Sequence, residues 1–311
     1  MVIPAYRVLK HIDAVLAAIP QTVSYIFVVD DACPEQSGKH VEANCKDPRV
    51  QVLFHQGNQG VGGAVMTGYQ AVLETDAEIA VKVDGDGQMD MDQLPRLVAP
   101  IIQGKADYTK GNRFNSVEAL EAMPRVRIFG NAVLSFMNKF SSGYWQVTDP
   151  TNGYTAIHRQ ALQDLKFVKI EKRYFFESDL LFRLSLLRAV VQDIPMNALY
   201  ADEESNLRIS KIIGKFFWGN MRNFAKRVFY QYYLREWSAA SFELPLGLFL
   251  TLFGFITAII TWADSFTRTT PAPAGTVMIS ALPLIVGIQL LLAFINSDVE
   301  SEPRFPRHIN P

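Results

Sequence analysis

Two stretches in the last third of the chain carry no charge: Leu244 to Ala263, and Thr269 to Ser297 with its apolar centre at Val277 to Ile295. Each apolar run is about 20 residues, roughly 30 Å as a helix, which matches the hydrocarbon thickness of a bilayer. A helix buried in a soluble protein usually keeps a polar stripe, and neither stretch has one, so the sequence predicts two membrane-spanning helices. The link between them holds only Asp264 and Arg268 as charges, whereas Arg208 to Arg235 contains seven Lys or Arg and no Asp or Glu. Positive-inside bias then keeps both ends of the pair on the cytoplasmic side, with Trp262 and Phe266 at the far interface.

In the basic stretch, Lys211, Lys215, Arg222, Lys226 and Arg227 are interleaved with Phe216, Phe217, Trp218, Phe224, Phe229 and Tyr230. A pair of amphipathic helices lying among lipid headgroups has this composition. The plainer alternative is a helix packed on a soluble domain with a solvated charged face. Over all 311 residues, 30 Lys+Arg offset 31 Asp+Glu, so no whole-protein charge argues for a nucleic acid partner. Cys33 and Cys45 lack redox or metal-ligand spacing and read as reduced structural thiols. The start, Met1-Val2-Ile3-Pro4, has neither a basic n-region nor an apolar stretch of signal-peptide length, so the N-terminal part is expected in the cytoplasm.

The first 200 or so residues alternate between two periodicities. Tyr25–Asp30, Val50–Phe54 and Ile79–Asp84 are short β-branched or aromatic runs ending at polar turns, and read as strands. Val8–Ile19 and Gly62–Glu74 have apolar residues three and four apart, and read as helices. Such alternation implies an α/β layer with a mostly parallel sheet and ligands at the carboxyl ends of the strands.

The chemistry-bearing residues follow those strands. After Ile79–Asp84 comes V-D-G-D-G-Q, placing Asp84, Asp86 and Gln88 on one short turn. Two carboxylates and an amide oxygen suit Mg²⁺ or Mn²⁺ and leave coordination positions for phosphate oxygens. The alternative is a solvated Asp-Gly turn; a calcium loop fails because no Glu stands at its twelfth position. Asp30 and Asp31 end another strand, Pro4-Ala5-Tyr6 ends the first, and these loops can line a base pocket. From Gly60, G-V-G-G-A-V lacks the last small residue of a dinucleotide fingerprint; Asn58 and these glycines instead let backbone approach a ribose or phosphate.

The ordered set V-I-P-A-Y, V-V-D-D, N-Q-G-V-G-G-A, D-G-D-G-Q, G-N-R, D-P-T-N-G-Y and Y-F-F-E-S-D-L, over about residues 2 to 215, resembles the family 2 glycosyltransferases of the GT-A fold. The nearest branch is that of the dolichyl-phosphate mannose synthase-like, polyprenyl-phosphate glycosyltransferases. The resemblance implies a metal at Asp84, Asp86 and Gln88, and a nucleotide sugar lined by Pro4, Ala5, Tyr6, Asp30 and Asp31. It places the acceptor phosphate near Arg113 and Arg127, with Arg125 as a substitute for the latter, and more loosely near Arg208 and Lys211. Asp149, Glu177 and Asp179 fall near the reacting sugar. A surface ion pair is the alternative for each arginine, and His158 reads as structural. The processive-synthase pattern Q-x-x-R-W is absent, which favours one transfer per acceptor. The first strand is several residues shorter than in relatives, and the chain is therefore expected to be shortened there.

The resulting expectation is an inverting, metal-dependent transferase of the inner membrane, multi-pass with a cytoplasmic catalytic domain. Its parts are a GT-A domain (1–205), basic juxtamembrane helices (206–243), a two-helix anchor (244–297) and a cytoplasmic tail (298–311). It takes a UDP- or GDP-sugar and a polyprenyl phosphate; a homo-oligomer remains open. A lipid phosphate is already anionic, whereas a sugar hydroxyl needs a base, for which Asp179 or Glu177 is the candidate. A lipid-linked glycan acceptor and a non-catalytic nucleotide-sugar-binding membrane scaffold are the rival readings.

Overall fold

A computed structural model describes residues 1–114, 125–196, 209–268 and 271–309. The chain divides into two compact units, Met1–Arg227 with Pro303–Pro311, and Val228–Glu302.

In the first unit, β1 (Val2–Ala5), β2 (Ile26–Asp30), β3 (Val50–Phe54), β4 (Ile79–Lys82), β5 (Tyr108–Asn112), β6 (Thr155–His158) and β7 (Val191–Pro195) form one sheet. Its order is β3-β2-β1-β4-β6-β5-β7. Pairing is parallel except for β6, which runs antiparallel to both β4 and β5. β4 and β5 therefore point the same way, and the carboxyl ends of all strands but β6 share one edge. The helices are α1 (Ile12–Ala18), α2 (Ser37–Asn44), α3 (Val61–Leu73), α4 (Leu94–Ile102), α5 (Arg125–Ser142), α6 (Arg159–Asp164), α7 (Phe176–Leu186) and α8 (Ile209–Phe229).

The sheet is covered on both faces at its centre, which is why β1 and β2 read as nearly unbroken apolar runs. Val2 and Val29 point into one core with Tyr69 and Leu180, while Ile3 and Val28 point into the other with Ile12 and Leu97. Despite its four residues, β1 pairs with β2 along its whole length, Val2 opposite Phe27 through Ala5 opposite Asp30. The expected first helix starts four residues late, because Arg7 takes a left-handed φ of 59° and residues 8–11 form a turn. At Gly68 a Cβ would lie 2.2 Å from Val2 Cγ1, so this glycine lets α3 approach β1 closely.

The segment after residue 302 belongs to this unit. The Asp107 carboxylate accepts from the Arg307 backbone N–H at 2.9 Å, and the Arg307 guanidinium reaches the Leu187 carbonyl and Asp164. His308 stacks on His158, with ring centroids 4.2 Å apart. His158 also accepts from the Gln160 N–H at the start of α6, which fits its structural reading. Burial and the neighbouring His308 lower its pKa.

In the second unit a π-helical turn (Tyr230–Arg235) precedes α9 (Ala240–Arg268) and α10 (Ala274–Glu300), both long and apolar enough to cross a membrane. They pack through small residues: a Cβ at Gly287 would meet Thr251 N at 2.5 Å, and one at Gly254 would meet Leu284 N at 2.6 Å. Asp298, buried near the end of α10, accepts from the Tyr232 hydroxyl at 2.7 Å.

Gly68→Ala is expected to destabilise the first unit by about 1–3 kcal/mol through overpacking against β1. Gly57→Ala, with nothing within 4 Å of the added methyl, should leave the thermal melt of the purified protein unchanged.

Candidate active site

The site forms at the shared edge because β6 enters there. Its first residue, Thr155, lies in register with both Lys82 of β4 and Lys110 of β5. Two lysines are thereby brought beside one strand, and both are buried. A buried ammonium requires nearby anions. Lys82 Nζ lies 2.8 Å from Asp84 Oδ1 and 3.7 Å from Glu177 Oε1. Burial alone would lower its pKa, but these carboxylates outweigh burial and raise it. Lys110 donates to the Asn152 carbonyl and has no carboxylate at ion-pair distance among the described residues; burial prevails and its pKa falls to about 8.

Around the lysines, the turn after β4 has Gly87 in the left-handed region, φ 77°, and the Gln88 N–H donates to Asp86 Oδ1 at 3.1 Å. Gly153, just before β6, has no room for a side chain: a Cβ there would lie 2.0 Å from Asp84 Oδ2 and 2.4 Å from Lys82 Nζ. Arg113, just past β5, forks onto Asp149, with Nε to Oδ2 at 2.8 Å and Nη2 to Oδ1 at 3.1 Å. Asp149 is fully buried, while the Arg113 side chain keeps 27% exposure, so the guanidinium is held at the edge of the site. Behind it, Asp193 of β7 accepts from the Asn112 side chain at 3.0 Å and the Thr148 N–H at 2.8 Å. Burial raises the Asp193 pKa to about 6.

The β2 end is organised differently. Asp30 is buried and accepts from the Cys33 N–H at 2.7 Å and the Gly38 N–H at 2.6 Å, so it fixes the entry to α2. Asp31 accepts from the Gln59 and Gly60 N–H groups, each at 2.7 Å, and pairs with His55 Nδ1 at 2.7 Å. Both carboxylates shape backbone loops. Gly60, at φ 91°, has a Cβ position 2.6 Å from the Lys172 carbonyl, so the glycine-rich loop packs against the segment before α7. The Asn58 amide caps the Asp31 carbonyl at 3.3 Å. Pro4, Ala5 and Tyr6 lie at the β1 end, and the exposed Tyr6 ring carries the Arg7 guanidinium 5.5 Å from its centroid.

The structure thus gathers Asp84, Glu177, Asp149 and Arg113 around the lysine pair, with Asp86 and Gln88 on the adjoining turn. Asp179 faces elsewhere. Its fully buried carboxylate takes Arg183 Nε at 2.9 Å, the Glu171 N–H at 3.0 Å and the Asn223 amide at 3.0 Å, fastening α7 to α8. Arg208 and the side chains of Arg127 and Lys211 lie outside the described residues. Sequence reasoning missed Lys82, Lys110, Gly153 and Asp193. A signal existed for the first two: each is a lysine inside an otherwise strand-like run, I-A-V-K-V and Y-T-K-G-N.

Among the described residues no three His, Cys, Asp or Glu side chains converge into a closed metal cage. Asp84, Asp86 and Gln88 stand on one turn after β4, and their side-chain oxygens are the type of donor that a hard divalent cation takes.

Comparison with known proteins agrees with this geometry. The sequence model of the Glycosyl transferase family 2 matches residues 1–166. Over 217 residues the chain is 30% identical to a UDP-N-acetylglucosamine–dolichyl-phosphate N-acetylglucosaminyltransferase of Methanococcus voltae, covering 65% of this chain and 86% of that protein. It is also 30% identical over 217 residues to an undecaprenyl-phosphate mannosyltransferase of Micrococcus luteus, covering 68% of this chain and 86% of the relative. In fold it is similar to glucosyl-3-phosphoglycerate synthase of Mycobacterium tuberculosis, solved with Mn²⁺, UDP-glucose and phosphoglyceric acid. That match has a TM-score of 0.54 at 16% identity, over 73% of this chain and 78% of the other.

Two outcomes are expected. Gly153→Ala should lower turnover about 100-fold by displacing Asp84 and Lys82, measured as nucleotide release with the thermal melt as a check on folding. The second concerns pH. The folded pKa of Asp193 is raised from 3.8 to about 6, so the stability it contributes is present at low pH and lost as pH rises between those values. Asp193→Asn lacks that loss. The melting temperature of the variant minus that of the parent should therefore climb from about pH 4 to about pH 6 and level off above.

Proposed function

The chain belongs to glycosyl transferase family 2, and on that footing we propose that it transfers one sugar from a UDP- or GDP-sugar to a polyprenyl phosphate at the cytoplasmic face of the cell membrane. A phosphate oxygen of the lipid attacks the anomeric carbon from the face opposite the nucleotide. The bond from that carbon to the diphosphate breaks, the nucleoside diphosphate leaves, and the sugar is inverted.

The observation carrying this reading is the state of the two carboxylates available as a base. Asp179 is consumed by three structural partners, and Glu177 sits beside the Lys82 ammonium. A hydroxyl acceptor requires a base to remove its proton, whereas an ionised lipid phosphate requires only cations and alignment. Arg113, held by Asp149, offers a guanidinium fork suited to a phosphate. Asp84, Asp86 and Gln88 would hold Mg²⁺ or Mn²⁺, which when bound offsets charge on the departing diphosphate. Lys82 and Lys110 keep the neighbouring carboxylates from repelling that diphosphate. Asp31 shapes the loop bearing Asn58 and Gly60, whose backbone is close enough to the β2 end to meet a nucleotide.

The membrane assignment follows from connectivity and charge. Two successive spans, α9 and α10, would bring the chain back to the side it left, and the residues from Pro303 onward belong to the catalytic unit again. Basic α8 precedes the pair, and positive-inside bias makes that side cytoplasmic.

The test is a release assay on full-length protein with Mg²⁺ or Mn²⁺, a panel of UDP- and GDP-sugars, and undecaprenyl phosphate, reading free nucleotide and lipid mass. Lipid-dependent formation of a monoglycosylated lipid, lost about 100-fold or more in Asp86→Ala, is the expected result. Turnover only with a glycan acceptor, or full activity of Asp86→Ala, would overturn the acceptor or the metal assignment respectively.

A further inference from the structure

Two helices of the catalytic unit are inside out. On α5 the buried line is Ser135, Asn138, Ser141 and Ser142, whereas Phe129 and Phe136 are 73% and 58% exposed, with exposed Val133 between them. On α8 the buried line includes Asn220, Asn223 and Arg227, while Trp218 is 71% exposed and Phe217 and Met221 flank it. A surface helix in water places its apolar stripe inward and its polar face outward. Here both helices do the reverse, and their polar faces meet. Ser141 Oγ donates to Asn220 Oδ1 at 2.6 Å, the Arg227 guanidinium donates to the Phe140 carbonyl at 2.9 Å, and the Phe140 and Phe224 rings lie 5.6 Å apart. The shared seam is thus hydrogen-bonded, and the outward aromatic residues are covered by no other described part of the chain.

We propose that the outward face of α5, together with that of α8, is a monolayer-docking surface. It seats the catalytic unit in the headgroup region of an anionic bilayer. Helix α8 supplies the charge complement: Lys215, Arg222 and Lys226 are exposed beside its aromatics, and the helix contains no Asp or Glu. Continuity supports a bilayer over a protein partner, because α8 ends at Phe229 and the apolar helix α9 begins at Ala240. The new element is α5, a helix far from the anchor in sequence that follows the segment carrying Arg113. Burying Phe129, Val133 and Phe136 among acyl chains would hold the acceptor end of the site at the depth of a lipid phosphate. The inference rests on the membrane reading above and is independent of which sugar or lipid reacts.

The test uses full-length protein with Cys33 and Cys45 replaced by Ser, reconstituted in nanodiscs of phosphatidylcholine and phosphatidylglycerol. A nitroxide is placed through Phe129→Cys or Phe136→Cys, through Phe253→Cys on α9, and through Val168→Cys, which is 96% exposed on the catalytic unit. Relaxation by oxygen and by a water-soluble nickel chelate is then compared. Labels at 129 and 136 should favour oxygen, as at 253, and the label at 168 should favour nickel. Labels at 129 and 136 that behave like 168 would overturn the proposal while leaving the anchor intact. A water-like label at 253 would overturn the anchor reading itself. Shielding from both reagents, with short distances between labels on two copies, would assign the face to a dimer and also overturn the proposal. In activity, the Phe129→Asp, Phe136→Asp double variant should raise the KM for undecaprenyl phosphate in the bilayer about tenfold and leave nucleotide-sugar affinity unchanged; an unchanged KM would count against the docking role.

Discussion

The site depends on one contact, that between the Lys82 ammonium and the Asp84 carboxylate. A lysine inside a central strand is costly unless an anion meets it, and the anion here belongs to the turn that would bind the metal. The contact constrains its surroundings in turn. Gly153 must lack a side chain so that Asp84 and Lys82 can lie against the start of β6, and β6 must run antiparallel so that its first residue enters at the edge where β4 ends. Glu177, brought from the first turn of α7, supplies a second negative charge to the same lysine. Sheet topology and site electrostatics are therefore linked: the reversed strand is what sets Lys82 and Lys110 beside each other.

That link explains which parts were readable from sequence. The strand Ile26–Asp30 was legible because burial on both faces forces a continuous apolar run, the edge strand Val50–Phe54 through its β-branched and aromatic residues, and the apolar helix pair because lipid forbids charge. The turn V-D-G-D-G-Q was legible as a turn because its residue types and spacing are local and need no long-range pairing. Lys110 and Asp193 were not, since their meaning arises only when β5 pairs with β6 and, across more than eighty positions of chain, with β7. Asp179 shows the converse. Its sequence neighbour Glu177 lies in the site, but two positions along a helix turn a side chain to another face, where Arg183 and Asn223 hold Asp179 as a structural tie.

The aspartate pair after β2 illustrates how a binding-site signature can act at one remove. Asp30 and Asp31 were expected to line a nucleotide, and both lie at the right edge of the sheet. Each, however, spends its oxygens on backbone N–H groups: Asp30 at the entry to α2, Asp31 at Gln59 and Gly60. Charged acceptors on backbone donors are among the stronger hydrogen bonds available to a loop, so these carboxylates fix the shape of the loops at this edge of the sheet. Conservative amide replacement would keep one acceptor oxygen at each position and still lose the second, which is why Asp differs from Asn there.

The inverted polarity of α5 and α8 bears on the same question of what an amphipathic pattern means. Read as a linear sequence, α8 shows cations among aromatics and is compatible with either a solvated or a lipid-facing helix. The structure separates these, because Asn220, Asn223 and Arg227 take the inward line and leave Phe217, Trp218 and Phe229 outside. Hydrogen bonds to Ser141, the Phe140 carbonyl and Asp179 hold this helix to the catalytic unit along that line, together with the ring contacts of Phe224 with Phe140 and of Phe216 with Phe175. A polar seam of this kind costs little when its groups are paired, and it leaves the apolar faces of both helices available for a medium that contributes hydrophobic energy only once the protein reaches it.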